Sequence, residues 1–84
     1  PSFVSGQMPV YTREALEAKV QGKVIVKCVV TTSGALTGCR IVKGLPYMDQ
    51  AVLAAMATQR YTPVLSNGQP VAVEYVFTLR LVLP

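Results

Sequence analysis

The spacing of apolar residues along this chain switches between a helical and a two-residue period, and each switch marks an element. Pro1 to Val10 has no period and carries two Pro, one Gly and two Ser, so it reads as an extended, frayed lead-in. Thr12 then caps a helix that opens with Arg13 and Glu14, places Leu16 and Val20 on its apolar stripe and stops at Gly22. At about nine residues this helix depends on packing rather than on propensity. From Lys23 the period becomes two: Val24, Val26, Cys28 and Val30 alternate with Lys23, Ile25, Lys27, Val29 and Thr31, a β-branched strand. Thr32-Ser33-Gly34 supplies a turn, with Gly34 placed for positive φ. A second strand runs from Leu36 to Lys43 with Leu36, Cys39 and Ile41 inward. Leu36 and Cys39 stand three apart, so both face the core only if a bulge near Thr37 and Gly38 absorbs one residue.

Gly44-Leu45-Pro46 breaks that strand. Met48 to Arg60 is predicted as the stronger helix, with Met48, Val52, Ala55, Met56 and Gln59 on one face and Leu53 beside it. Tyr61-Thr62-Pro63 ends it, and Ser66-Asn67-Gly68-Gln69-Pro70 makes a turn. In the last strand Val71, Val73, Tyr75, Phe77, Leu79 and Leu81 point one way, and Ala72, Glu74, Val76, Thr78 and Arg80 the other.

The order helix, strand, strand, helix, strand predicts an α+β domain: two helices packed on one face of a three-stranded antiparallel sheet. A right-handed return after the second helix sets the last strand beside the first, in spatial order 2-1-3. The last strand is then an edge. It is also predicted to outrun its partners, leaving part of its backbone without a mate.

Composition narrows the function classes. The chain of 84 residues is 51% hydrophobic, yet charges interrupt every apolar run before the roughly 18 residues needed to cross a bilayer. It begins at Pro1 without an initiator Met or a basic leader, which reads as a piece of a longer protein. There is no His, and Glu14, Glu17, Asp49 and Glu74 are the only carboxylate side chains, so enzymatic and metal-centred readings are weak and no cofactor is called for. Eight Lys and Arg give a net charge of +4, but Arg13, Lys19, Lys23, Lys27, Arg40, Lys43, Arg60 and Arg80 stand singly, with no basic run.

Taken in order, several segments resemble the C-terminal domain of TonB, the periplasmic energy transducer of Gram-negative bacteria. They are Tyr11 with Ala15, Gly22-Lys23-Val24-Ile25-Val26, Thr32-Ser33-Gly34, Met48-Asp49-Gln50-Ala51-Val52, Tyr61-Thr62-Pro63 and Gly68-Gln69-Pro70-Val71. The resemblance runs from about Pro9 to Leu81, and it divides the chain into a lead-in, residues 1–10, and a TonB C-terminal-like domain, residues 11–84. Tyr11-Thr12 stands where the family usually has Tyr-Pro. The pair Cys28 and Cys39, with Leu45-Pro46, resembles a myxobacterial-style variant.

The resemblance implies a periplasmic domain of an inner-membrane-anchored protein, driven through a missing N-terminal part by an ExbB/ExbD-type motor. Its partner would be the extended TonB box of an outer-membrane TonB-dependent transporter. Two other readings share the same edge: a module of another trans-envelope machine, for gliding motility or secretion, and a homodimer. Nucleic acid is not an expected partner, because no aromatic platform or glycine-rich loop accompanies the charge.

The expected docking site is the backbone of Val73, Glu74, Tyr75, Val76, Phe77, Thr78, Leu79 and Arg80, since an exposed strand edge accepts an extended peptide as a further strand. The competing reading is an ordinary edge guarded by Glu74 and Arg80. Cys28 and Cys39 read either as a disulfide across the first hairpin, suited to an oxidising compartment, or as two small reduced core residues. Tyr61 and Pro63 read as a helix stop, Tyr75 and Phe77 as core. On the outer sheet face Ile25, Val29, Val42 and Val76 alternate with Lys27, Arg40 and Glu74, an unusually apolar surface to be covered by the lead-in or by a second copy.

Overall fold

The computed structural model describes residues 1–84. In chain order the elements are β1 (Phe3–Ser5), α1 (Arg13–Glu17), β2 (Gly22–Val30), β3 (Leu36–Lys43), α2 (Asp49–Thr58), β4 (Arg60–Tyr61), β5 (Val64–Ser66), β6 (Gln69–Val71) and β7 (Val73–Leu81). The main sheet has the order β3-β2-β7, antiparallel throughout, which is the 2-1-3 arrangement expected from a right-handed return after the second helix.

Its inner face carries Val24, Val26, Cys28 and Val30 from β2, all buried, against Ala15 of α1 and Val52 and Met56 of α2. Met48 and Gln59, at the two ends of α2, are buried as well. The face predicted for the second helix is therefore the one that packs. Burying a valine or methionine side chain contributes about 1.5–3 kcal/mol, which is how such short helices are held.

The predicted bulge is present. Lys27 pairs with Arg40 and Val29 with Thr37, so Gly38 and Cys39 together oppose Cys28. Gly38 takes φ 58°, the left-handed conformation that the extra residue needs. That bend turns Cys39 inward, and the Cys28–Cys39 disulfide closes the hairpin. At the hairpin tip Gly34 has φ 86° and lies against the Tyr61 backbone, whose N–H donates to Gly34 O at 2.9 Å. A side chain there would collide with the Tyr61 carbonyl.

Other expectations are corrected. The first helix is one short turn, Arg13–Glu17, and Lys19, not Gly22, takes the left-handed position after it, with φ 55°. Lys19 N–H donates to Leu16 O and Val20 N–H to Ala15 O, the paired bonds of a Schellman motif. Consequently Ala15 faces the core and Leu16 is exposed. Thr12 does cap the helix, its Oγ1 accepting from Ala15 N–H at 3.1 Å.

The second helix stops at Thr58, because Arg60 and Tyr61 leave it to pair with the lead-in. That lead-in is not frayed. Ser2 N–H donates to Thr62 Oγ1 at 2.8 Å, Thr62 N–H to Ser2 O at 2.8 Å, and Gln7 N–H to Thr58 Oγ1 at 2.9 Å. Extended backbone there finds its missing partners in the segment after α2.

Candidate functional site

The last strand is paired along its whole inner edge. Nine consecutive partners, from Gly22 with Leu81 to Val30 with Val73, join β2 to β7 without a register shift. The expectation that β7 outruns its neighbour is corrected: both strands have nine residues, and Gln69–Val71 pairs instead with Val64–Ser66 in a small hairpin turned by Asn67-Gly68. What stays open is lateral. β7 has no neighbour beyond β2, so alternate residues direct their N–H and C=O groups outward without a strand partner.

All eight sequence-predicted site residues lie on this strand, and alternation divides them as expected. Val73, Phe77 and Leu79 are half-buried against the core. Tyr75 is 39% exposed, which corrects its reading as core; α2 packs over β3 rather than over β7 and leaves that ring uncovered. Tyr75 rests on Phe77, with centroids 4.9 Å apart, and Phe77 rests on Tyr61, also at 4.9 Å. Phe3 of the lead-in adds an edge-on ring at 5.6 Å from Tyr61. The four rings brace β7 from the inner side. The Tyr61 hydroxyl donates to Gln59 Oε1 at 2.7 Å, and burial pushes its pKa above the ordinary 10.0.

On the outer face, Glu74, Val76, Thr78 and Arg80 are exposed. Glu74 accepts two weak ion pairs, from Lys27 and from Arg40, each at 3.6 Å. The lead-in does not cover this face: its contacts run to Thr58, Gln59, Tyr61 and Thr62, while Val42 and Val76 stay 60% and 52% exposed.

Sequence reasoning missed two features. Met8, Pro9, Tyr11 and Val82 form an apolar groove beside Leu79 and Leu81 at one end of the open edge. The signal was Met8-Pro9 inside a segment taken as loose. The second is the extent of charge: Lys27 and Arg40 are legible on the outer face from alternation, and strand register adds Lys23, Lys43 and Arg80 to them.

No three His, Cys, Asp or Glu side chains cluster, and no helix is long and apolar enough to cross a membrane. With its open strand edge, the arrangement can offer backbone hydrogen bonds to an extended chain.

A family model described as the Gram-negative bacterial TonB protein C-terminal matches residues 7–83. Among solved structures the chain is similar to one titled solution NMR structure of Pseudomonas aeruginosa TonB CTD, with a TM-score of 0.77 and 26% sequence identity. That similarity covers 98% of this chain and 85% of the other. No curated protein matches.

Proposed function

This chain belongs to the family of Gram-negative bacterial TonB C-terminal domains, and from that premise we propose that it is a non-catalytic periplasmic adaptor that takes the TonB box of an outer-membrane transporter as an added strand on β7. The observation that carries the reading is the open, shift-free edge over Val73 to Arg80. A strand added there satisfies outward N–H and C=O groups in one step, and the four braced rings keep the edge straight. Several backbone hydrogen bonds in parallel carry load without special side chains, which agrees with the sparse polar chemistry of the strand.

Load enters through residues 1–10, and residues 11–84 form the gripping domain. The upstream part is the inner-membrane anchor that an ExbB/ExbD-type motor pulls. Phe3–Ser5 pairing with Arg60–Tyr61 ties the pulled end to the base of α2.

A titration with TonB-box peptides tests the docking mode. A peptide carrying N-methyl groups on alternate amides should lose at least tenfold in affinity in one of its two phasings and little in the other, because only one set of its amides faces β7. Equal loss in both phasings, or in neither, contradicts strand addition.

A further inference from the structure

The outer face of the main sheet concentrates the charge of the whole chain. Cross-strand partners share a face, and the pairs Lys23 with Arg80, Ile25 with Lys43, and Lys27 with Arg40 place five cations there. Glu74 is the one carboxylate among them. The remaining three cations, Arg13, Lys19 and Arg60, are matched elsewhere by Glu14, Glu17 and Asp49, so the entire net charge of +4 belongs to this face.

Within it the charge is uneven. Glu74 lies between Lys27 and Arg40, at 3.6 Å from each. Lys23, Lys43 and Arg80 sit at the opposite end, exposed and without a salt bridge, and Lys23 stands directly across from Arg80. Like charges directly opposite on antiparallel strands destabilise the pair unless an anion lies between them.

The shape selects the kind of anion. Nine residues at about 3.3 Å per residue, with edge strands about 10 Å apart, make a plate some 30 Å long. Of the five cations only Arg80 borders a cavity, and no second cation lines either of the two cavities it borders. Aliphatic Ile25, Val29 and Val76 alternate with the cations. Tyr75 and Phe77 point to the other face, so bases would find no stacking platform. Cations interleaved with short aliphatic side chains on an open plate match the boundary of a bilayer carrying anionic lipid.

We propose that this face docks on an anionic lipid bilayer, with Lys23, Lys43 and Arg80 on lipid phosphates and Val76 against the interface. The β7 edge runs along the border of the plate, so docking would lay a captured strand parallel to the membrane surface.

Co-sedimentation of the full chain with phosphatidylcholine vesicles, alone or mixed with phosphatidylglycerol, tests this. Binding is expected to the mixed vesicles only, and to weaken as salt is raised. Each cation near such a surface contributes about fivefold, so Lys23→Gln with Lys43→Gln should weaken binding about 25-fold. Neither residue lies on β7, and the TonB-box affinity of that variant should be unchanged, which separates failure of this inference from failure of the edge reading. The pair Arg13→Gln with Lys19→Gln, off the face, should bind vesicles as the parent does. An unaltered melting temperature establishes that each variant is folded. Equal binding to neutral vesicles, indifference to the Lys23 and Lys43 changes, or tighter binding to a single-stranded oligonucleotide than to the mixed vesicles would overturn the proposal.

Discussion

The main sheet ends in two edge strands of nearly equal length, and they differ in regularity. β7 pairs with β2 over nine residues in one register, whereas β3 pairs over eight residues with two shifts, one at Gly38-Cys39 and one at Val42. A bulge twists and bends the edge that carries it, and an added strand cannot follow both ladders of a bent edge. Helix α2 also packs over β3, and the disulfide ties β3 to the centre of the sheet. One edge is closed by its backbone and the other is left available. That asymmetry, more than any side chain, supports the proposal that a partner docks on β7 rather than on β3.

The largest expected effect comes from removing the tie on the closed side. Cys28→Ala with Cys39→Ala should cost about 3 kcal/mol, the contribution of closing a loop of this length. In a domain of this size that lowers the melting temperature by about 10 to 20 °C. Well below the melting point, peptide affinity at β7 should change by less than about twofold. A tenfold loss would show that the two edges are not independent.

Deleting Gly38 should straighten the closed edge. Without that residue Leu36, Cys39 and Ile41 alternate regularly, Cys39 falls opposite Cys28, and β3 loses its main irregularity. Sedimentation velocity should then show a concentration-dependent dimer, where the parent, whose β3 is bent, shows no association through that edge. A variant that stays monomeric while retaining its disulfide would mean that bulges are not what closes β3.

A smaller effect belongs to the ring stack behind β7. Burial raises the pKa of Tyr61, so the folded state favours the neutral phenol. The stabilisation is complete below the unfolded value near 10.0 and is lost as pH rises through the higher folded value. Thermal melts should therefore lose stability above about pH 10. Tyr61→Phe should remove part of that dependence at a cost of about 1 kcal/mol, from the lost hydrogen bond to Gln59.

The open edge was legible in the sequence because strand period is local: the alternation from Val73 to Leu81 and from Val24 to Val30 fixes both faces without knowledge of the rest. The bulge was legible for the same reason, since Leu36 and Cys39 are out of phase by one. Pairing across long separations was not. Phe3–Ser5 reaches Arg60–Tyr61 through backbone bonds that leave no pattern in either segment, so the lead-in looked loose and α2 looked longer than it is. The end of α1 was misplaced because Gly22 suits a left-handed position, yet Lys19 adopts one three residues earlier, where two capping bonds and the burial of Ala15 offset its strain. Tyr75 looked like core because its phase is correct; its exposure follows from where α2 lies, which no local pattern states.

Amide shift mapping of both edges during one titration separates an open β7 from a closed β3. With a TonB-box peptide added to the isotope-labelled chain, alternate amides from Val73 to Arg80 are expected to shift and gain exchange protection while those from Leu36 to Lys43 do not. Equal shifts on both edges, or shifts confined to β3, would contradict docking on β7.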